Sequence, residues 1–435
     1  MSIWDRKKPS FGFISTRFMG LDGVSLESKK WAQVLTSKGC SVCYMAGELD
    51  TDPSISYLVP KAHFKHEEIL KLYQAIFVEK KRTSEISRKI QQIKEELKEE
   101  IKNYHSKFGF EILIVQNALA IPLNIPLGLA ITEFIIETEI PTIAHHHDFF
   151  WERDRFSSPV ASDYLRSAFP PVHPKIQHVV INSIAGHKLA SFTGASWTLI
   201  PNIVDFKILP PEIDDFNRDL KKEIGLDDET FLVLQPTRVV SRKGIEMSLE
   251  LVKRLDYPKA SLVITHKAED EGQDYLMRIE EFVKLIDVDL KIISDRIGFK
   301  RGFDENGRKI FTLWDVYQHA DLITYPSVYE GYGNAFVESI YFRKPIVINR
   351  YSIFVADIEP KGFDVISFDS YITKQTIKKI NDITKQTIKK INDLLNDSEQ
   401  MAQVAEKNYM LGWRYLSYEM FEEKIEQLLI NHYGS

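Results

Sequence analysis

Two glutamates and two glycines lie close together in residues 329–338, YEGYGNAFVE. The segment follows an apolar run typical of a strand and continues into a helical pattern. A strand end that leads through a glycine turn into a helix presents free backbone N–H groups and a positive dipole end, which suit a phosphate. Gly331 and Gly333 would let the main chain approach a ligand closely. Glu330 in the turn and Glu338 in the helix would accept hydrogen bonds from vicinal hydroxyls, so the segment predicts a site for a phosphorylated polyol.

Two cations lie in a similar position in residues 236–244, PTRVVSRKG. Arg238 and Lys243 are five residues apart across a predicted strand-to-helix turn, so both can approach one anion. Arginine offers a planar fork of donors and lysine a compact point charge, and together they would stabilise a departing diphosphate without a metal. Taken alone, Glu330 also fits a helix-capping acid and Glu338 a surface residue. The second segment, with the opposite charge, favours one shared site.

Three consecutive histidines, His145, His146 and His147, end another predicted strand. Neighbouring side chains of a strand point to opposite faces, so the three cannot all ligate one ion, and we expect no metal site. His147 is the best candidate of the three to line a ligand site, because Asp148 follows it.

Weaker candidates follow the histidines: Trp151, Arg153 and Arg155. Arginines in a loop at this position suit a carboxylate or a phosphate on a second substrate. A peripheral loop held by salt bridges explains the same residues almost equally well, and both interpretations stay open.

Short β-rich runs alternate with longer helical patterns along the chain, which is typical of an α/β fold. One series runs to about residue 200 and a second begins after the linker Pro201–Pro211. Residues Glu67–Lys107 are predicted as one charged helical stretch, since apolar residues recur there at spacings of three, four and seven. The last predicted helix, Tyr418–Asn431, has no strand after it. The predicted strands are Phe11–Ser15, Cys40–Met45, Ile112–Gln116, Pro141–His146, Val179–Asn182, Thr198–Ile200, Phe231–Gln235, Ala260–Thr265, Leu290–Ser294, Leu322–Tyr325, Pro345–Ile348 and Asp364–Ile366.

An 11-residue unit, ITKQTIKKIND, occurs twice without change, at residues 372–382 and 383–393. Eleven residues are close to three helical turns, so a second copy lengthens a helix by roughly 16 Å and returns its isoleucines to nearly the same face. We interpret it as a tolerated duplication away from the chemistry, and whether it has a function stays open.

The 435 residues suffice for two domains, and 44% hydrophobic with 27% charged residues is typical of a water-soluble globular protein. The net charge of -6 gives no overall electrostatic reason to expect nucleic acid or an anionic membrane as a partner. Residues 1–10 are polar and the first apolar run is short, so we expect a cytoplasmic protein without stable membrane insertion. Cys40 and Cys43 provide no disulfide framework, and their place in a predicted strand indicates core or near-surface thiols.

In these motifs the chain resembles glycosyltransferase family 4, a family of retaining enzymes with the GT-B fold. The resemblance covers most of the chain. Besides the two charged segments it includes a loop with Gly20 and Gly23, the dipeptide 147–148 at a strand end, and residues 201–205 at the crossing between domains. Ile203 departs from the family pattern, which has glycine at this position of the crossing.

The resemblance implies roles for residues at the matching positions. The implied catalytic residues are His147, Arg238, Lys243 and Glu330. The implied donor-binding residues are Gly20, Gly23, Arg238, Lys243, Glu330, Gly331, Tyr332, Gly333, Asn334 and Glu338. By this resemblance the two cations hold the diphosphate, the first glutamate binds sugar hydroxyls, the second binds the ribose, and residues 331–334 offer backbone contacts. The first glycine loop closes over the phosphates, and the histidine lies beside the anomeric carbon.

The resemblance also implies two Rossmann-like α/β domains that face each other across a cleft. Residues 1–203 form the acceptor-side domain, with the option that the C-terminal helix, residues 411–435, packs back on it. Residues 204–410 form the domain that binds the nucleotide sugar.

The implied activity is transfer of mannose or glucose from GDP-mannose or from UDP- or GDP-glucose to a small polar acceptor such as glucosylglycerate. The implied route is a front-face attack with retention, and the implied product is of the compatible-solute type, as in the mannosylglucosylglycerate synthase and trehalose synthase-like branches. No cofactor is implied. A divalent metal that stimulates without being chelated by the protein stays open, as does a homo-oligomer.

Three alternatives remain: a glycosyltransferase of cell-envelope lipid or polysaccharide synthesis, a nucleotide-sugar epimerase, and a non-catalytic nucleotide-sugar binder. Retention of all four charged positions, Arg238, Lys243, Glu330 and Glu338, argues against the binder. Lys243→Ala and Glu330→Ala are each expected to lower turnover by orders of magnitude while leaving folding intact.

Overall fold

The computed structural model describes residues 8–20, 23–255, 257–268, 273–369, 389, 391–393 and 398–433. The chain divides into two units. The first contains the residues up to Ile203 together with those from Tyr418 onward, and the second spans Val204–Ser417. Residues 411–417, which the sequence analysis grouped with the C-terminal helix, belong to the second unit, because Ser398–Leu416 is one continuous helix.

Seven parallel strands form the sheet of the first unit, in the order β3-β2-β1-β4-β5-β6-β7. They are β1 (Phe11–Ile14), β2 (Val42–Ala46), β3 (Ser56–Leu58), β4 (Ile112–Gln116), β5 (Thr142–His146), β6 (Ile176–Val180) and β7 (Trp197–Leu199). The helices are α1 (Gly23–Ser37), α2 (Glu67–Tyr73), α3 (Ser84–Phe108), α4 (Ile125–Thr138), α5 (Ser162–Ala168) and α6 (Ser183–Thr193). The central strands β1 and β4 are buried along their whole length, which explains their continuous apolar sequence.

The stretch predicted as one charged helix contains two helices. After α2 the chain makes a π-helical turn at Gln74–Val78, and α3 begins only after Thr83. The Thr83 Oγ1 accepts a hydrogen bond from the Ile86 N–H at 3.2 Å and so caps the new helix. The stretch is helical as predicted except for the break before Thr83, which was missed because apolar spacing reports which face is buried and does not detect a cap within the pattern.

Six parallel strands form the sheet of the second unit, in the order β10-β9-β8-β13-β14-β15, and β11 and β12 form a separate antiparallel pair. The strands are β8 (Phe231–Gln235), β9 (Ala260–Ile264), β10 (Asp289–Ile292), β11 (Gly302–Phe303), β12 (Lys309–Ile310), β13 (Leu322–Tyr325), β14 (Ile346–Asn349) and β15 (Ile366–Phe368). The helices are α7 (Leu220–Glu223), α8 (Ile245–Arg254), α9 (Gln273–Ile286), α10 (Leu313–His319), α11 (Asn334–Tyr341) and α12 (Ser398–Leu416).

Both sheets have the doubly wound strand order of Rossmann-like folds. Each places its first strand, β1 or β8, beside its fourth principal strand, β4 or β13. Ligands of such sheets bind at the carboxyl ends of the strands on either side of this switch point. The predicted α/β architecture is therefore confirmed, with strand ends shifted by a few residues. Strands β3, β11 and β12 were not predicted, because they are too short to produce a periodic pattern.

The C-terminal helix α13 (Tyr418–Tyr433) belongs to the first unit. Its buried residues Phe421 and Ile425 share an apolar core with Phe11 and Trp31. The duplicated segment at residues 372–393 lies outside the described residues, apart from residue 389 and residues 391–393. In the described part of the chain, no helix combines the length and the apolar character that a membrane crossing requires.

Candidate active site

The two charged segments meet at the switch point of the second unit, because they follow the neighbouring strands β8 and β13. The Val328 N–H, directly before the segment 329–338, donates to the Arg242 carbonyl oxygen in the segment 236–244 at 2.9 Å. Gly244 has a φ of +61°, and a Cβ there would lie 2.8 Å from the Pro326 carbonyl oxygen. Glycine at this position therefore permits both the backbone conformation and the close contact of the two turns.

Lys243 and Glu330 form an ion pair in which each side chain is only 9% exposed. The Lys243 Nζ also lies 5.5 Å from the centre of the Tyr325 ring. On the other side of the carboxylate, the Arg242 Nη1 lies 3.4 Å from the Glu330 Oε2 and donates to the Tyr329 carbonyl oxygen at 3.0 Å. One buried carboxylate therefore faces two cations.

Positive charge outnumbers negative charge around this ion pair. Burial lowers the pKa of Lys243, Glu330 opposes this effect, and the charges of Arg242 and Arg238 add to it. Burial alone would raise the pKa of Glu330, but the charges of Lys243 and Arg242 outweigh it and hold that pKa below its ordinary value. The pKa of Lys243 is thus lowered mainly by burial, and the pKa of Glu330 is lowered by the neighbouring cations. Such a site attracts an anion, and a diphosphate has the matching charge.

Glu338 lies within α11, the helix that begins directly after the Glu330 loop. It accepts a hydrogen bond from the Tyr317 hydroxyl at 2.9 Å, and the buried Tyr317 ring stacks on Phe342 with centroids 5.0 Å apart. The structure thus brings Lys243 and Glu330 into contact and places Glu338 on the adjoining helix.

Arg238 is exposed, yet its charge acts on the pKa of Lys243. Arg242 was not among the residues predicted from the sequence, although it lies in the segment 236–244 and its charge could have identified it as a third cation of the site. Tyr325 and Tyr351, which contact the glutamate loop from other strands, were not predicted either. The charge pattern contains no information on these aromatic contacts.

The two glycines expected in one loop of the first unit have different environments. Gly20 has a φ of +92°, and its N–H donates to the Asp50 Oδ2 at 3.4 Å, which Lys29 contacts at 3.0 Å. Gly23 is the first residue of α1. The helix begins earlier than the predicted Leu26, so Gly23 is a helical residue and not a loop residue.

Asn117 connects the ends of β4 and β5, one strand away from the switch point between β1 and β4. Its backbone has a φ of +60°, which asparagine tolerates better than most residues. The side-chain Oδ1 accepts from the His147 N–H at 3.1 Å, and the Nδ2 donates to the Asp148 Oδ1 at 3.1 Å. Asp148 also forms an ion pair with Arg153. One amide therefore fixes the backbone of His147 and the side chain of Asp148.

The other two histidines have separate buried partners. The His145 Nδ1 lies 2.9 Å from the Gln116 Oε1, and the His145 ring stacks on Trp31. The His146 Nε2 lies 2.9 Å from the His178 Nδ1. His145 and His146 thus face different partners, as the alternation of a strand requires, while His147 is half-buried at the strand end.

The three weaker candidates have partners within their own loop. Trp151 stacks on Phe149 with ring centroids 4.4 Å apart, and the Arg155 guanidinium lies 4.9 Å from the centre of the Phe156 ring. Arg153 is ion-paired as described above. These contacts favour a structural role for the loop, and acceptor binding by Trp151, Arg153 and Arg155 stays a prediction.

Cys40 and Cys43 are buried free thiols. Burial raises the pKa of each to about 11. The prediction of core thiols is confirmed.

No family model matches the chain. Individual proteins are nevertheless similar to it. The mannosylglucosylglycerate synthase of Petrotoga mobilis is 31% identical over 383 residues, which cover 82% of this chain and 86% of that protein. The chain belongs to the mannosylglucosylglycerate synthase family. The synthase of the same name from Thermotoga maritima is 28% identical over 430 residues, covering 93% of this chain and 95% of that protein.

The fold of this member of the mannosylglucosylglycerate synthase family also occurs in a solved glycosyltransferase from Rickettsia africae. The TM-score is 0.66 at 12% identity, over 98% of this chain and 99% of that one. Together with the two doubly wound sheets, this likeness confirms the GT-B fold class. The chain is a hexosyltransferase of the GT-B type.

Proposed function

We propose that the protein transfers mannose from GDP-mannose to glucosylglycerate with retention of configuration, as a member of glycosyltransferase family 4. The names of its relatives support the sugar and the acceptor. The observation that carries the proposal is the buried Lys243–Glu330 ion pair with its excess of positive charge, at the strand ends where nucleotide ligands of this fold class bind. The product would be a glycoside of glycerate that keeps its carboxylate, a compatible-solute type of molecule.

Different residues of the second unit bind different groups of the donor. Lys243 and Arg238 neutralise the diphosphate, and Glu330 accepts hydrogen bonds from hydroxyls of the sugar. Glu338 accepts from the ribose hydroxyls, where its bond from Tyr317 fixes its orientation. Residues 331–334 contribute backbone groups. Residues Gly20, Gly23 and His147 keep the roles that the family resemblance implies for them.

The proposed reaction is a front-face displacement. The bond from the anomeric carbon to the phosphate oxygen breaks, the bond to the acceptor oxygen forms on the same face, and the leaving phosphate oxygen takes the acceptor proton. The ion pair with Lys243 makes Glu330 a poor nucleophile but leaves it a good hydrogen-bond acceptor for sugar hydroxyls. The protein then supplies position and charge stabilisation.

Three cations from one turn, Arg238, Arg242 and Lys243, provide the charge that a leaving diphosphate needs. We therefore propose that transfer needs no divalent metal chelated by the protein. A free metal that accompanies the diphosphate would change the rate moderately at most.

A donor-by-acceptor matrix tests the proposal. GDP-mannose, GDP-glucose and UDP-glucose are each incubated with glucosylglycerate, with glycerate and without acceptor, and released nucleotide is measured with and without EDTA. We expect release only with an acceptor, fastest for GDP-mannose with glucosylglycerate, and a new α-linkage by NMR. A β-linkage would refute retention. Epimerised donor without an acceptor would identify an epimerase, binding without any turnover a non-catalytic binder, and transfer only to a lipid or polysaccharide acceptor the cell-envelope alternative.

A further inference from the structure

The loop that carries Glu330 and Gly333 rests on two buried tyrosines from neighbouring strands. Tyr325 ends β13, and burial together with the charge of the nearby Glu330 carboxylate raises the pKa of its phenol well above its usual range. Tyr351 follows β14, and its hydroxyl donates to the Tyr332 carbonyl oxygen at 2.7 Å. The two rings meet edge to face with centroids 6.1 Å apart, and they are 1% and 3% exposed. The Tyr351 hydroxyl therefore holds the loop at Tyr332, and the Tyr325 ring packs against the Tyr351 ring.

The Tyr351 hydroxyl also explains why residue 333 is glycine. Gly333 has a φ of +113°, and a Cβ there would lie 2.7 Å from the Tyr351 oxygen and 3.1 Å from Tyr325. A side chain at this position would displace the hydroxyl that holds the preceding carbonyl. The glycine and the tyrosine hydroxyl are thus parts of one arrangement.

The direction of one backbone donor follows from this arrangement. The peptide bond between Tyr332 and Gly333 is trans, so its C=O and its N–H point in opposite directions. Because the Tyr351 hydroxyl holds the C=O, the Gly333 N–H must point away from Tyr351. Burial raises the pKa of the Tyr351 phenol well above its usual range, so the hydroxyl keeps its proton and remains a donor.

We propose that Tyr351 is a positioning residue, whose hydroxyl fixes the 332–333 peptide and thereby directs the Gly333 N–H toward the donor substrate. The inference rests on the proposed function, because it assumes that the Glu330 loop binds a nucleotide sugar. Tyr351 acts through the peptide and touches no reacting atom.

A matched control exists in the same unit. The Tyr409 hydroxyl donates to the Phe206 carbonyl oxygen, also at 2.7 Å, and Tyr409 is 2% exposed. Tyr351→Phe and Tyr409→Phe therefore each remove one buried hydroxyl that bonds a backbone carbonyl. Only the first variant removes a contact to the glutamate loop.

The test compares the two variants by steady-state kinetics, by calorimetric titration with GDP and UDP, and by amide hydrogen exchange. Tyr351→Phe should raise the donor KM and the nucleotide diphosphate Kd by about fivefold to tenfold, which is the effect of one lost hydrogen bond. The acceptor KM should change less than twofold. Exchange in the peptide containing residues 330–334 should accelerate by a similar factor. Tyr409→Phe should change neither the donor KM nor exchange in that peptide.

Unchanged exchange at residues 330–334 in Tyr351→Phe would overturn the inference, whatever the activity. So would faster exchange with an unchanged donor KM and Kd, or an equal change in KM from both variants. If the wild-type protein transfers no sugar but binds GDP or UDP, the proposed function fails while the Kd comparison still decides the role of Tyr351. Failure to bind either nucleotide would refute both.

Discussion

From the buried Lys243–Glu330 ion pair we predict that substitutions change stability and activity in different orders. Lys243→Met and Glu330→Gln remove the two charges singly or together with little change in volume. Each side chain is only 9% exposed, so a single substitution leaves its partner buried without its closest counter-charge. Breaking a buried ion pair from one side costs about 3–5 kcal/mol, whereas replacing both charges is close to neutral.

The contacts of each partner set the order of the three variants. In Lys243→Met the Glu330 carboxylate retains Arg242 at 3.4 Å, so the free energy of unfolding should decrease by only about 2–3 kcal/mol. In Glu330→Gln the lysine loses its counter-charge, so the free energy of unfolding should decrease by about 3–5 kcal/mol. The double variant should be more stable than Glu330→Gln by at least about 2 kcal/mol, because it leaves no unpaired buried ammonium.

Activity should follow a different order. All three variants should lower kcat/KM by about 100- to 1,000-fold, because the diphosphate loses a preorganised charge or the sugar loses its acceptor group. The double variant should be no more active than either single one. Recovery of stability without recovery of turnover would assign the ion pair to both packing and chemistry.

Urea unfolding, followed by tryptophan fluorescence, and nucleotide release measure the two properties. The control is Asp227→Asn, which breaks the exposed Lys259–Asp227 pair in the same unit and should change neither stability nor activity detectably. A double variant no more stable than Glu330→Gln would refute the buried pair. Restored turnover in the double variant would refute the role of these charges in transfer.

The burial of this ion pair changes one sequence-based expectation. Lys243→Ala and Glu330→Ala were expected to reduce turnover with folding intact. Because both side chains are buried and paired, the single variants should also lose stability, and activity must be compared at a temperature where each variant is folded.

Two further predictions concern the first unit. Asn117→Gly keeps the left-handed backbone but removes both side-chain hydrogen bonds. In nucleotide-release assays its kcat should fall about tenfold, with little change in stability. The control Glu139→Gly, at a φ of +51°, should leave kcat unchanged. Burial lowers the pKa of His178 from 6.5 to about 4, so below pH 6.5 the unfolded chain binds a proton that the folded chain does not. Stability should therefore decrease by about 3 kcal/mol as pH falls from 6.5 to 4, and urea titrations should show a flatter pH profile for His178→Asn but not for the exposed His187→Asn. An unchanged profile in His178→Asn, or an equal loss of kcat in the two glycine variants, would contradict these assignments.

Much of the fold could be predicted from the sequence because its signals are local. Buried parallel strands such as β4 and β8 are continuous apolar runs, and their predicted bounds equal the observed ones. Breaks that depend on a single cap are not visible in periodicity, which is why the interruption before Thr83 was missed. The resemblance then supplied the GT-B fold class, which no local pattern contains.

For the site, the sequence by itself determined the residue types and their spacing within each turn: two cations five residues apart, and a glycine turn between two acids. Only the tertiary structure decided that Lys243 contacts Glu330, 87 residues away, because the strand order places β8 beside β13. It also decided the contacts of Tyr351 and Asn117, whose side-chain hydrogen bonds depend on which strand ends are neighbours. Spacing along the chain fixes contacts within a turn or a helix, whereas contacts between strand ends follow from sheet order and packing.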